Sequence, residues 1–220
     1  FYTQYIGLSA SLFALLLIIL KVWDAINDPL IGGLMDASTK NYKRGKFKTF
    51  IYFGSFGLII SAALCYIPIP NAALWLKVVV CMLGYMTWDM FYTIVNVPYG
   101  SMVSVITAEA GERAQLSAWR NVGAIVAGMG IALILPTIIF DKNNNLMGAK
   151  MFPIALVMGV IAFFAFQFML RGTTIRVHAT PSSEEQQEKP KAKFNYVESV
   201  RNFLKNRGAM GVTLGIVAYF

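Results

Sequence analysis

Residues 12–33 read LFALLLIILKVWDAINDPLIGG, and in this stretch an apolar run continues directly into Lys21, Asp24 and Asp28. A membrane-spanning helix needs about 20 residues, so the apolar run alone is too short to cross a bilayer. The position of the first membrane helix therefore decides whether these three charges face the cytoplasm or lie inside the membrane.

Two placements of this helix compete. A helix over 1–20 leaves the charges in the cytoplasm, but it puts the polar residues 3–5 in lipid and strands the apolar stretch 29–35 as a loop. A helix over 11–35 buries the charges. A lone acid inside the membrane costs about 2.5–3.5 kcal/mol, so such residues usually face a cavity or a partner. We favour the buried placement, which predicts polar surroundings for Asp24.

The whole chain has the composition of a polytopic helical membrane protein. Of its 220 residues, 57% are hydrophobic and 14% are charged, whereas a soluble domain has about 25% charged residues. The two cysteines lie in apolar blocks and suggest neither a disulfide framework nor a metal site. The apolar blocks predict five complete membrane helices and a sixth, partial one: 11–35, 47–69, 74–99, 116–140, 151–170 and from 208 onward.

The net charge of +8 is a signal of membrane topology, and we do not expect nucleic acid binding. Lys and Arg mark the cytoplasmic side of membrane proteins. Lys21 falls within the first predicted helix. Of the other basic residues, only three fall in the connections on the non-cytoplasmic side of the membrane: Lys77, Lys142 and Lys150. We therefore predict a multi-pass protein of a bacterial inner or plasma membrane, with loops 36–48 and 172–207 in the cytoplasm.

The second of these loops separates two sets of membrane helices. Its first part is polar and typical of a flexible linker. Apolar residues then recur at helical spacing over 194–207, which predicts an amphipathic helix on the inner membrane surface. A long cytoplasmic connection of this kind is typical of a two-halved transporter. Because the chain starts at Phe1 and stops inside an apolar run, we interpret it as part of a longer protein.

The polar residues of the first helix share one face. Lys21, Asp24 and Asp28 follow at i, i+3 and i+7, with Asn27 beside them. Pro29 cannot donate a backbone hydrogen bond and leaves a carbonyl free one turn earlier. Carboxylate, amide and carbonyl oxygens suit a small hard cation. The alternative is a Lys21–Asp24 ion pair that only fastens helices, which leaves the second acid unexplained.

A second polar face lies on the third predicted helix, at i, i+4, i+7 and i+11: Asp89, Thr93, Asn96 and Gly100. A lone Asn or Thr in a membrane helix is usually a contact between helices. The additional Asp on the same face, flanked by Tyr92, favours a binding surface. At the start of the fourth helix, Arg120 either reaches inward to a polar ligand or extends to the cytoplasmic surface.

Three motifs in this order resemble the signatures of one transporter family. They are WDAINDPLIGGLMD…RGKFK over 23–48, YTIVNVPYGSM over 92–102 and ERAQLSAWR over 112–120. Together they look like the glycoside–pentoside–hexuronide:cation symporters, which have the major facilitator fold. The resemblance also supports the buried placement of the first predicted helix.

The resemblance implies an all-α transporter of twelve helices in two six-helix halves. Residues 1–171 are then the N-terminal half with its first helix mostly missing, and 11–35 is its second helix. Residues 172–207 are the central cytoplasmic loop, and 208–220 begin the seventh helix and the C-terminal half.

The family's sites can be carried over by motif. The resemblance implies a cation site on Asp24, Asn27, Asp28 and Thr93. It implies substrate contacts on the same faces and in the third motif, and to these we add Asp89 from the polar face of the third helix: Lys21, Asp89, Tyr92, Asn96, Gly100, Trp119 and Arg120. Melibiose-permease-like members have an Asp at the position of Asn96 and a stacking Trp at that of Gly100, so their sugar specificity does not transfer. Asp89, where they have Gly, either partly replaces the missing acid or pairs with a basic group elsewhere.

The resulting expectation is a monomeric secondary transporter that couples a sugar or glycoside to Na⁺ or H⁺. It is not expected to be an enzyme or to hold a cofactor beyond the coupling ion. One alternative is a membrane-embedded Mg²⁺-dependent transferase, suggested by Asp24, Asp28 and Asp36. Its acid spacing does not fit, because Ile31 is apolar where a repeated acid would help. A sensor of the same fold that does not transport is the other alternative.

Overall fold

The computed structural model describes residues 1–38, 42, 44–176, 201 and 205. Five long helices form this part of the chain: α1 Ala10–Ala37, α2 Lys46–Cys65, α3 Leu74–Ile106, α4 Ala110–Ile139 and α5 Met151–Gly172. A short 3-10 helix, Gly148–Lys150, leads into α5. All five long helices are long and apolar enough to cross a membrane. The predicted all-α membrane architecture is confirmed over the described residues.

The first helix begins where its sequence supplies a cap. The side-chain oxygen of Ser9 accepts a hydrogen bond from the backbone N–H of Leu12 at 3.3 Å, which satisfies one of the free donors at the helix start. From there α1 continues without interruption through Pro29. Its three charged residues are therefore internal to one long helix, so the placement over 11–35 is confirmed and the placement over 1–20 is wrong.

Two other helix boundaries differ from the prediction. α2 ends at Cys65 instead of residue 69, because Pro68 and Pro70 follow. Proline cannot donate a backbone hydrogen bond, and it disfavours helical geometry in the residue before it. α3 continues past the buried Pro98 to Ile106 instead of ending at residue 99, as membrane helices do where neighbouring groups pack around a proline. The polar face of α3 thus lies in the middle of the helix.

A hydrogen-bonded turn joins α3 to α4 and starts α4 earlier than predicted. The hydroxyl of Thr107 donates to a carboxylate oxygen of Glu112 at 2.5 Å and accepts the backbone N–H of Glu109 at 3.2 Å. Arg113 Nε donates to the carbonyl oxygen of Thr107 at 2.9 Å. These contacts support the start of α4 at Ala110, whereas the sequence predicted a start at residue 116.

The helices pack through close contacts at glycine. α2 lies between α3 and α5, and α1 packs against α3. A Cβ atom at Gly84 of α3 would lie 3.1 Å from the backbone of Cys65, and one at Gly159 of α5 would lie 3.1 Å from Ile59. Small residues let membrane helices approach this closely, so the sequence positions of glycine set the helix spacing around α2.

We expect Gly57→Ala to lower the stability of the helix bundle. The added Cβ would lie 2.2 Å from the ring of Phe91, and such overpacking typically costs about 1–3 kcal/mol. Gly128→Ala on α4 is the matched control, because a Cβ there meets no atom of the described residues within 4 Å. Thermal unfolding of the complete protein in detergent measures the difference. Equal melting temperatures for the two variants would show that the α2–α3 contact is looser than described.

Two lysines fasten chain segments across helix ends. Lys77 Nζ donates to the carbonyl oxygen of Ile6 at 2.7 Å and ties the segment before α1 to α3. Lys48 Nζ donates to the carbonyl oxygen of Leu170 at 3.0 Å, close to the end of α5. The last carbonyls of a helix lack internal partners, so a cation there is favourable. These lysines therefore have structural roles in addition to marking topology.

The fourth helix packs least against the others. It meets them mainly at α3, and Ile139 is its one residue buried by the described part of the chain. The predicted amphipathic helix over 194–207 lies outside the described residues except for Arg201 and Lys205, which are helical and exposed. The partial helix predicted from residue 208 lies outside them entirely.

Candidate functional site

A cavity of about 340 Å³ lies between α1 and α3. Its α1 wall consists of Lys21, Asp24 and Asp28. Its α3 wall includes residues spaced so that one helical face carries them all: Tyr85, Trp88, Asp89, Tyr92, Thr93 and Asn96. Seven of the residues predicted from sequence thus line a single cavity, and the two polar faces inferred separately for the first and third helices meet there.

Asp28 and Thr93 join the two walls directly. The hydroxyl of Thr93 donates to Asp28 Oδ1 at 2.6 Å. Thr93 is buried, whereas Asp28 is exposed, and both line the cavity. A hydroxyl that donates to a carboxylate retains its lone pairs as acceptors. The pair therefore presents charged and neutral oxygens at one place, as the cation prediction requires.

Asp24 is held at one oxygen and unpaired at the other. Lys21 Nζ donates to Asp24 Oδ2 at 2.8 Å, which is the ion pair that the sequence offered as the alternative reading of this face. Asp24 Oδ1 is buried, and no residue in the described ranges hydrogen-bonds to it. A buried acceptor without a partner is unfavourable. The predicted ion pair is thus present, and the second carboxylate oxygen of Asp24 remains available to a ligand.

Asn27 and Asp89 form a second bond between the helices. Asn27 Nδ2 donates to Asp89 Oδ2 at 3.1 Å. The two side chains are buried, with exposed fractions of 5% and 7%. Asp89 lines the cavity, but Asn27 does not. The role of Asn27 as a cation ligand thus stays a prediction. The sequence analysis did not indicate that Asp89 pairs with this neutral amide.

Aromatic rings form the remaining wall of the cavity. Trp88 and Tyr92 are stacked, with ring centroids 5.3 Å apart and planes 17° apart. Tyr85 lies against Trp88 at 5.9 Å. The sequence analysis selected Tyr92 but did not include Tyr85. The i, i+3, i+7 spacing of the three on one helix was the available signal.

The cavity carries more negative than positive charge. Three carboxylates and one ammonium line it, and charges interact strongly where water is scarce. In the described part of the chain, no three His, Cys, Asp or Glu residues are grouped closely enough to form a metal cluster. The available donors are carboxylate, hydroxyl and amide oxygens, which suit a small hard cation.

Three predicted substrate residues do not line this cavity. The guanidinium of Arg120 lies over the ring of Tyr99 at 5.4 Å, a cation–π contact. A Cβ at Gly100 would lie 3.8 Å from Arg120, so α3 and α4 approach each other here. Trp119 is 73% exposed. Substrate contacts by Gly100, Trp119 and Arg120 therefore stay predictions.

Comparison with known proteins gives a consistent result over the whole chain. Residues 1–220 match a family described as MFS/sugar transport protein. The chain is 30% identical over 193 residues to the inner membrane symporter YicJ of Escherichia coli (strain K12), an alignment that covers 86% of this chain and 40% of that protein.

Two further relatives are named for what they carry. The glucuronide carrier protein homolog of Escherichia coli (strain K12) is 28% identical over 185 residues, covering 83% of this chain and 40% of that protein. The isoprimeverose transporter of Lactiplantibacillus pentosus is 27% identical over 186 residues, covering 84% of this chain and 38% of its own length. The chain spans less than half the length of each relative. Their names describe transporters and not enzymes.

Proposed function

The chain belongs to the MFS/sugar transport protein family and is a multi-pass membrane protein, and from this premise we propose that it forms part of a secondary active transporter carrying a sugar or glycoside together with Na⁺ or H⁺. The supporting observation is the cavity between α1 and α3. There the Asp28–Thr93 pair lies on the same walls as the stacked rings of Trp88 and Tyr92.

The cation binds among the oxygens at the α1–α3 contact. Asp28 and Thr93 are already in hydrogen-bond contact, and Asp24 lines the same cavity with one oxygen that no described residue hydrogen-bonds. These groups and the predicted ligand Asn27 supply the hard oxygen donors that Na⁺ prefers. A proton needs only one carboxylate, so coupling to H⁺ uses the same acids.

The substrate binds against the aromatic wall. A sugar presents both hydroxyl groups and apolar C–H faces, so it needs polar side chains beside flat apolar surfaces. Trp88 and Tyr92 supply the surfaces, and the exposed Asn96 supplies an amide one turn farther along α3. The glucuronide carrier homolog and the isoprimeverose transporter suggest that the substrate is a sugar or glycoside.

Binding of the cation and binding of the sugar are linked through this shared cavity. With no cation bound, the carboxylates of Asp24 and Asp28 repel each other in a medium of low dielectric constant. A cation relieves this repulsion and stabilises the arrangement of α1 and α3 that also binds sugar. Each ligand then raises the affinity for the other. No covalent bond is made or broken during the cycle.

The whole transporter has two halves that rock around this central site. Residues 1–171 belong to the N-terminal half, 172–207 connect the halves in the cytoplasm, and 208–220 begin the C-terminal half. The transporter works as a monomer in this proposal, because both halves lie on one chain.

Transport in membrane vesicles tests the proposal. Vesicles that contain the complete protein are given radiolabelled glycosides, pentosides and hexuronides under an inward Na⁺ gradient or an inward H⁺ gradient. We expect at least one of these probes to accumulate above its external concentration, and an ionophore that collapses the gradient to abolish the accumulation. Uptake that never exceeds that of control vesicles under either gradient would refute the proposal.

A further inference from the structure

We propose that Asp89 acts through Asn27 as a positioning residue of the cation site, and not as a ligand of the sugar. This inference rests on the proposed cation-coupled transport. Its basis is the buried hydrogen bond from Asn27 Nδ2 to Asp89 Oδ2, which connects α1 to α3 next to the Asp28–Thr93 contact.

The bond is buried on both sides, so it is costly to break. Asn27 is 5% exposed and Asp89 is 7% exposed. A buried amide or carboxylate that loses its partner is left without a hydrogen bond and out of contact with water, which is unfavourable. The pair therefore holds its two helices in one relative position more firmly than a contact at the membrane surface would.

The backbone of α1 is weakened near this bond by a proline. Pro29 lacks a backbone N–H, so the helix is missing one internal hydrogen bond across the turn that contains Asn27 and Asp28. Two consecutive residues of this weakened turn are bonded to α3, Asn27 to Asp89 and Asp28 to Thr93. The first bond thus determines where α1 presents the carboxylate of Asp28.

The surroundings of Asp89 fit this role better than sugar binding. Its Oδ2 is occupied by Asn27, and little of the residue is exposed. The other α3 residues expected to meet the substrate, Tyr92 and Asn96, are exposed. A group that orients a metal ligand without touching the metal typically affects affinity about 10–100-fold when it is removed.

Na⁺ alone is the probe in the test. The complete protein is purified in choline chloride and titrated with NaCl by isothermal calorimetry. We expect Asp89→Leu to weaken Na⁺ binding about 10-fold. Asp89→Asn keeps an oxygen that accepts from Asn27, so we expect it to stay within about threefold of the wild type. A role through charge alone predicts equal losses for Asp89→Asn and Asp89→Leu, and that result would overturn the proposal.

A double-mutant cycle tests whether the effect passes through Asn27. Asn27→Leu breaks the same bond from the other helix, but it also removes a predicted cation ligand, so its own loss does not test the proposal. If Asp89→Leu does not fold, Asp89→Asn still tests the proposal, because a loss of Na⁺ affinity of about 10-fold or more in this variant would overturn it. We expect Asp89→Leu to add less than about threefold to the loss in Asn27→Leu, because coupled residues are not additive. Fully additive losses would overturn the proposal. So would a loss of sugar affinity at saturating Na⁺ with unchanged Na⁺ binding.

One control removes a buried polar group outside the site. Ser61 is fully buried in α2, and its hydroxyl donates to the carbonyl oxygen of Leu58 in the same helix. We expect Ser61→Ala to leave Na⁺ affinity unchanged. If the wild type binds no Na⁺, the proposed Na⁺ site fails and the inference falls with it. If the wild type binds Na⁺ and the Asp89 variants match it, only the inference fails.

Discussion

Replacement of Asp28 by Cys is expected to abolish the stimulation of sugar binding by Na⁺ while the protein still reaches the membrane. Asp28 Oδ1 accepts the hydroxyl of Thr93 at 2.6 Å and stands on the cavity wall. Cys removes the negative charge and replaces a hard oxygen donor by a softer sulfur. A lost contact to a charged group is worth about 3 kcal/mol, which corresponds to roughly a 100-fold loss of Na⁺ affinity.

Two companion variants make this result specific. Thr93→Val keeps the shape of the side chain but removes the hydroxyl, so we expect a smaller loss of about 10-fold in Na⁺ affinity. Glu109→Gln removes an exposed acid at the start of α4 and is expected to have no effect. The measurement is calorimetric Na⁺ binding together with binding of a labelled sugar at low and high Na⁺. An Asp28→Cys protein that still responds fully to Na⁺ would rule out this acid as part of the coupling site.

Replacement of Trp88 by Ala is expected to weaken sugar binding at least about 10-fold and to leave Na⁺ binding intact. Trp88 stacks on Tyr92 and lines the cavity. Its removal takes away the largest flat apolar surface on the cavity wall, and Trp residues are frequent hot spots of binding. About 10-fold corresponds to about 1.4 kcal/mol.

Trp75 provides the matched tryptophan control. It lies in the first turn of α3, away from the cavity, and is 68% exposed. Trp75→Ala is therefore expected to bind sugar as the wild type does. Equilibrium binding of the transported sugar at saturating Na⁺ compares the two variants. Equal sugar affinities for Trp88→Ala and the wild type would remove the aromatic wall from the proposed substrate site.

The sequence was sufficient to predict most of the polar residues that line the cavity between α1 and α3. The motif around Asp24 and Asp28 and the spacing of Thr93 on another helix pointed to one polar cavity, and the structure brings all three to its walls. This worked because charged residues inside a membrane helix are costly. Their presence in such a helix is therefore informative without any coordinates.

The sequence was insufficient to predict how these residues pair. Asn27 and Asp89 are separated by 62 positions along the chain. Nothing local to either residue shows that the rotation of α1 against α3 brings them together. Tyr85 was overlooked for a different reason, since its helical spacing from Tyr92 already placed it on the polar face of α3.

By itself, the sequence determined the membrane architecture and the position of Lys21, Asp24 and Asp28 inside the membrane-length helix α1, because the length and polarity of a helix in a bilayer follow from the order of its residues. Only the tertiary structure decided that Thr93 binds Asp28, that Asn27 binds Asp89, and that Asp24 keeps one oxygen without a partner among the described residues. Helix rotation and spacing set these contacts. The rotation and spacing depend on how all the helices pack together, which no single stretch of sequence shows.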